Sequence, residues 1–181
     1  MIYHKEIDLD NYDLIIEKCK EYIKSIPKIY NRELPNASAY HISLSSLLQA
    51  CPELQPALIQ YGLRIVSAGA YVMYKPEHTS LHVDIYNRKS RINLPIFNCD
   101  GTYLNFYSNA KTTLVTNPES GYKNRYVTNP EECVIETSLE LTKATVVRIT
   151  EPHKIILPAT NIVPRITLTL GFIEDPSYLL E

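Results

Sequence analysis

From residue 63 to residue 172 the chain is a succession of short β-rich runs with no helical periodicity between them, and nothing else in it limits the fold so sharply. The runs fall at 63–67, 70–74, 80–85, 91–97, 102–107, 112–116, 134–139, 145–149, 154–157 and 165–172. They are rich in Val, Ile, Thr, Tyr and Phe, and turn-forming residues separate them. Parallel strands need crossover connections, usually helices, and this region offers none. Roughly ten strands in unbroken succession therefore fold back on one another as a sandwich or jelly roll, a mainly β architecture.

The first 62 residues read differently. Leu14, Ile15, Cys19, Tyr22, Ile23 and Ile26 recur at helical spacing behind a candidate cap at Asp8 or Asp10, and Pro27 stops the pattern. A second helical stretch runs from Ser43 through Leu47 and Leu48 to Cys51. Pro52 and Pro56 break it and allow a restart to Tyr61, after which Gly62 marks the change to strand. A chain of 181 residues with 45% hydrophobic content closes one core, so a single domain 1–181 is expected. Its parts are a mostly helical preface, 1–62, and a β core, 63–175. The longest interruption, 117–132, holds two Asn-Pro steps, a Gly and several charges, and is expected to be a mobile loop that closes over a site.

Composition narrows the function. A formal charge of -2 supplies no excess of Lys and Arg to cover a phosphate backbone, so a nucleic acid partner is not indicated. The four cysteines, Cys19, Cys51, Cys99 and Cys133, form no CxxC pair and no zinc spacing, and read as reduced, mostly buried thiols. The opening MIYHKEIDLD lacks a signal pattern, and no apolar run has membrane-spanning length. The expected setting is soluble and cytoplasmic, with no membrane partner.

Chemistry concentrates in a His-x-Asp pair, His82 and Asp84, answered much later by His153 and Arg165. In a strand, residues two apart point to one side, so His82 and Asp84 can offer an imidazole nitrogen and a carboxylate oxygen to one ion. His153 would complete a facial set of two histidines and one carboxylate. Such a set holds Fe(II) and leaves coordination positions open for substrate chemistry and dioxygen. An isolated His-x-Asp is commonly a solvated pair on a surface strand, and it is the order of the four residues that carries weight. Arg165 could instead pair with Glu174 or Asp175. Its place in RITLTLGF argues otherwise: Ile166, Leu168 and Leu170 share one face, and Arg165, Thr167 and Thr169 the other. A polar face inside a barrel needs a ligand.

The run LHVDIYNRKSRINLPIFNCDGTYLNFY, followed by TVVRITEPHKIILPATNIVPRITLTLGF, resembles the Fe(II)- and 2-oxoglutarate-dependent dioxygenases. More narrowly, it is similar to the small bacterial and phage-type members related to prolyl and aspartyl/asparaginyl hydroxylases. The resemblance covers residues 70–173 and implies a double-stranded β-helix, jelly-roll or cupin-like, with the N-terminal helices packed outside the barrel. It implies that His82, Asp84 and His153 are the iron ligands. Arg165 takes the place of the basic residue that pairs with the distal carboxylate of 2-oxoglutarate, and Thr167 that of the hydroxyl two positions on. A guanidinium and a hydroxyl on one strand face grip a planar anion with orientation as well as charge. Tyr74 and Asn93 are candidates for further polar contacts to the cosubstrate. The activity implied is hydroxylation of a carbon centre with dioxygen, Fe(II) and 2-oxoglutarate, releasing succinate and CO2. The substrate would be a small molecule or a peptide side chain.

Two other classes fit parts of the pattern. A non-catalytic jelly-roll binding or assembly protein needs no metal set, and a cupin-type site would favour His-x-His or a Glu ligand over Asp84. An iron oxygenase acting on nucleobases would want a basic, aromatic-lined groove, of which Arg88, Lys89, Arg91, Lys123 and Arg125 are a faint version. Of the other histidines, His78 reads as loop or rim, and His4 and His41 as surface or capping residues. Arg91 with Arg88 and Lys89 reads as a solvated turn cluster, although Arg91 shares strand parity with Asn93. Tyr103, Phe106 and Tyr107 read as core packing, with one of them free to wall a pocket.

Overall fold

The N-terminal helix forms where its apolar spacing requires. α1 (Tyr12–Lys24) buries Ile15, Cys19 and Ile23 along one stripe. The computed structural model describes residues 1–30, 37–75, 79–85, 88–116 and 123–181. Neither Asp8 nor Asp10 caps α1. Asn11 precedes it in the left-handed region at φ 58°, without a side-chain cap, and the Leu9 carbonyl accepts from Tyr12 N at 3.2 Å. A single turn, α2 (Pro27–Tyr30), follows. α3 (Leu44–Ala50) starts at Ser43, whose hydroxyl accepts from Ser46 N, and α4 (Leu54–Ile59) starts after Pro52, holds Pro56 in its first turn and stops before Gly62. Gly62 adopts φ 67° and ends the helix, with Gly62 N bonded to Ile59 O and Leu63 N to Leu58 O. That is the Schellman pattern, in which a residue without Cβ takes the left-handed position at least cost.

The strands are β1 (His4–Glu6), β2 (Ala37–Ile42), β3 (Ile65–Met73), β4 (His82–Asp84), β5 (Ser90–Phe97), β6 (Tyr103–Ser108), β7 (Thr112–Thr116), β8 (Lys123–Val127), β9 (Val134–Glu140), β10 (Thr145–Arg148), β11 (His153–Ile156) and β12 (Arg165–Phe172). They form two six-stranded sheets with orders β1-β10-β5-β12-β3-β2 and β7-β8-β4-β11-β6-β9. The pairings within them are antiparallel. The arrangement is a mainly β jelly roll of the double-stranded β-helix kind, with helices packed on its first sheet.

The core explains which way each face points. Ala68, Ala70 and Val72 of β3, Ile92, Leu94 and Ile96 of β5, Val146 of β10, and Ile166, Leu168 and Leu170 of β12 join one cluster with Ile15, Cys19, Ile23, Leu47, Leu54 and Leu58 of the helices. One face of the first sheet therefore packs on the helices. The alternate residues, Arg165, Thr167 and Thr169 of β12 among them, face the second sheet. A smaller cluster of Leu104, Phe106, Leu139, Leu141, Val147 and Ile149 fills the space between the sheets at one side.

Several elements depart from the sequence reading. The helical preface also contains β1 and β2, which extend the first sheet at its two edges. The runs expected at 63–67 and 70–74 are one strand, β3, which passes through Gly69; a Cβ there would meet the Tyr40 carbonyl of β2 at 3.3 Å. Within the loop expected over 117–132, residues 123–127 are strand β8, hydrogen-bonded to β4 and β7, and Pro130–Glu132 is a 3-10 turn. Residues 117–122 lie outside the described residues. Among the described residues no helix is long and apolar enough to cross a membrane.

Leu168 is fully buried on β12, between β3 and β5 and beneath the helices. Leu168→Ala is expected to destabilise the protein by about 3 kcal/mol through lost burial and the cavity left behind. Urea denaturation followed by circular dichroism checks it.

Candidate metal and anion site

β4 and β11 are neighbours in the second sheet, and their register sets His153 directly opposite His82. Asp84 follows two residues after His82 and so points to the same side. The backbone fixes all three: Asp84 N donates to Ile149 O at 3.1 Å, and β8 holds the other edge of β4 with Tyr126 opposite His82. Both imidazoles are oriented in the same manner. His82 Nδ1 lies 2.7 Å from the Ser80 carbonyl, and His153 Nδ1 lies 2.8 Å from the Glu151 carbonyl. A carbonyl only accepts, so each Nδ1 carries a proton and each Nε2 is the nitrogen turned toward Asp84.

The donor atoms converge. His82 Nε2 is 3.4 Å from Asp84 Oδ1, and His153 Nε2 is 4.0 Å from Asp84 Oδ2. The ring centroids of the two histidines are 4.6 Å apart, and one donor atom from each of the three residues falls within 4.8 Å of the others. Metal bonds of about 2.1 Å at right angles would separate donors by about 3 Å, so small side-chain adjustments suffice to close the set on one ion. Two imidazoles and one carboxylate suit a first-row divalent ion with open positions.

Electrostatics favours the donating forms of two of the three residues. Burial pushes His153 below the ordinary imidazole value and His82 adds to this, against the opposing charge of Asp84. For Asp84, burial acts to raise the pKa. The hydrogen bond from His82 and the charges of His153, His82 and Arg91 outweigh it and hold the carboxyl below its usual range. Burial likewise acts to lower His82, but its hydrogen bond to Asp84 and the Asp84 charge leave it raised. A metal ion bound at His82 Nε2 would take the place of this contact with Asp84.

Across the barrel, the polar face of β12 supplies the second half of the site. Arg165 is 2% exposed, yet no acidic side chain meets it among the described residues. Glu174 is taken by Arg64, with Nε at 2.8 Å, and Asp175 accepts from the backbone of Lys89 and Ser177, so the expected rival partners are both engaged elsewhere. Arg165 Nε donates to Thr102 Oγ1 at 3.0 Å, whereas its Nη1 is buried without a hydrogen-bond partner among the described residues. A buried cation with an orphaned donor is costly unless an anion completes it, and a carboxylate is the natural complement of a guanidinium. Thr167, two residues on, is buried with its hydroxyl 3.9 Å from Cys99 Sγ. Asn93 of β5 shares this polar face and accepts from Thr169 Oγ1 at 2.9 Å.

Tyr74 is not part of this face. Its hydroxyl lies 2.9 Å from the Ile29 carbonyl and 3.0 Å from the Tyr40 hydroxyl, and its ring packs against the helix-side core. The tyrosine that does share the polar face is Tyr71, directly opposite Thr167 across β3 and β12. Strand parity separates the two, since residues three apart point to opposite faces. Arg91 lies within β5 rather than in a solvated turn, and its charge reaches Asp84. Phe106 is fully buried and its ring centroid stands 6.1 Å from that of His153, so it walls the metal side of the barrel. His4 is half-buried and stacks on Phe106 at 6.0 Å, not a surface residue as expected, while His41 is exposed. Tyr103 is 39% exposed. His78 lies outside the described residues.

No protein family model matches the sequence, and no curated protein matches it. Solved structures do match by shape. A prolyl-4-hydroxylase from Pseudomonas putida superposes with a TM-score of 0.55 over 95% of this chain and 92% of that one, at 15% identity. HygX from Streptomyces hygroscopicus, solved with nickel and 2-oxoglutarate bound, superposes with a TM-score of 0.57 over 94% of this chain and 82% of that one, at 8% identity. At these identities the likeness establishes a shared fold.

Removing the carboxylate tests the donor set. Asp84→Ala is expected to weaken Mn(II) binding by more than about 100-fold, beyond the usual effect of outer-shell changes, while the far-ultraviolet circular dichroism is retained. Isothermal titration of the metal into both proteins measures it.

Proposed function

We propose that this protein is an Fe(II)- and 2-oxoglutarate-dependent oxygenase that hydroxylates a carbon centre of a small molecule or peptide side chain, releasing succinate and CO2. The observation that carries this reading is the pairing of two features in one barrel. His82, Asp84 and His153 converge on one point, and the buried Arg165 carries a donor without a partner among the described residues. Either feature alone is compatible with a structural role; together they suit a metal and a dicarboxylate bound side by side. The shared fold with a prolyl-4-hydroxylase and with a nickel- and 2-oxoglutarate-bound protein is in keeping with it.

When bound, Fe(II) and 2-oxoglutarate would supply the oxidising chemistry, with decarboxylation to succinate coupled to oxygen insertion into a C–H bond. The protein's part is positioning. His82, Asp84 and His153 would hold the metal on one face and leave the other open. Arg165 and Thr167, with Asn93 of β5 on the same sheet face, would take the distal carboxylate and fix the cosubstrate's direction. Phe106, packed beside His153, would keep water from the metal-facing wall. The free thiols Cys19, Cys51, Cys99 and Cys133 suit a reducing, cytoplasmic setting.

The test is 2-oxoglutarate turnover without added substrate, after chelation and with Fe(II) restored, reading succinate by NMR. Succinate formation is expected to depend on Fe(II). Arg165→Met is expected to weaken 2-oxoglutarate binding by about 100-fold, as for loss of one partner of a buried charge pair. Turnover that persists without iron would overturn the reading.

A further inference from the structure

The turn between β5 and β6 is tied down more heavily than a surface connection of its length requires. Asn98 and Gly101 both adopt positive φ, 53° and 68°. Asn98 Nδ2 donates to the carbonyl of Pro164, the residue before Arg165, at 2.8 Å. Gly101 N donates to Glu140 Oε1 at 2.6 Å, and Asn161 Nδ2 donates to the Asp100 carbonyl at 2.7 Å. The turn is thereby clamped to the start of β12, to β9 and to the loop before β12. It ends at Thr102, which is 1% exposed.

The Thr102 hydroxyl has a defined polarity. Its single proton goes to the Cys99 carbonyl, with Oγ1 2.6 Å away, and its lone pairs are then left to accept from Arg165 Nε at 3.0 Å. A hydrogen bond at Nε fixes the plane of the guanidinium, because Nε lies in that plane and next to the rotatable stem. Nη1 is left as the donor still to be matched. The same turn places Cys99 Sγ against the Thr167 hydroxyl. Planar, two-point recognition of a carboxylate demands orientation as well as charge, and a guanidinium already held in plane loses less freedom when the anion arrives.

We propose that Thr102 is a positioning residue for the distal carboxylate of the cosubstrate, acting through Arg165 and held in place by the clamped turn Asn98 to Thr102. This rests on the 2-oxoglutarate reading above. The prediction is selective: Thr102 should matter for a keto acid that carries the distal carboxylate and not for one that lacks it.

The experiment is calorimetric titration of the Mn(II)-loaded protein with 2-oxoglutarate and, separately, with pyruvate, for wild type, Thr102→Val and Thr102→Ser. Thr102→Val keeps the shape and removes the acceptor, and is expected to weaken 2-oxoglutarate by about tenfold, the scale of one hydrogen bond to a charged group. Thr102→Ser keeps the hydroxyl and should stay within about threefold of wild type. Pyruvate and Mn(II) affinities should not change. Wild-type affinity for 2-oxoglutarate in Thr102→Val, or an equal loss for both keto acids, would overturn the positioning role alone. A wild-type protein that does not distinguish 2-oxoglutarate from pyruvate would instead overturn the underlying assignment of Arg165. If Thr102→Val does not fold, Thr102→Ala repeats the comparison with the same deciding outcomes.

Discussion

A guanidinium buried inside a barrel sets the terms for the rest of the molecule. Taking a charge out of water is expensive, and structures that do so supply a counter-charge or a set of hydrogen bonds. Among the described residues Arg165 donates from Nε to Thr102, and its Nη1 has no partner. Acidic residues near it in sequence are spent elsewhere: Glu174 on Arg64, and Asp175 on backbone amides. A structural role would have been served at lower cost by an apolar residue of similar volume. What remains is a buried donor, Nη1, whose complement is not found among the described residues.

The metal donors follow a matching logic on the facing sheet. Each imidazole gives its Nδ1 proton to a carbonyl two residues earlier, Ser80 for His82 and Glu151 for His153. The repetition matters, because one local backbone device bears on the tautomer and ring direction of both residues. Pro152 contributes by restricting the backbone at Glu151, the residue whose carbonyl does the orienting. Phe106 then fixes the remaining side of His153 by packing. The donors are thus held by strand pairing and by burial.

Much of this is legible from residue patterns, and the failures have physical causes. His82 and Asp84 are readable because side-chain period two in a strand is a local rule, and the polar face of β12 because RITLTLGF alternates without interruption. β1 and β2 are not, since HKE is too short to show a period and ASAYHI is rich in residues with weak strand preference. β8, KNRYV, is polar at one end and borders a segment dense in turn signals, so its pairing with β4 is a tertiary fact. Tyr71 and Tyr74 point to opposite faces of one run, and which face is the polar one depends on the pairing of β3 with β12, a tertiary fact. Thr102 cannot be seen at all: its link to Arg165 joins residues far apart in the chain through a turn whose shape depends on Pro164, Glu140 and Asn161.

The helices complete the argument from the outside. A sheet with apolar residues on one face and Arg, Thr and Asn on the other would, alone, turn its polar face to water. In this chain α1, α3 and α4 cover the apolar face with Ile15, Ile23, Leu47, Leu54 and Leu58, and the second sheet closes over the polar one. The polar face is thereby trapped between two layers. The side chains on it, from Arg165 and Thr167 to Asn93 and Tyr71, are therefore confined to the barrel, where solvation by bulk water is limited and binding a polar ligand replaces it. The amphipathic stripe of α1, which touches none of these residues' chemistry, is in this sense a condition for the site to exist.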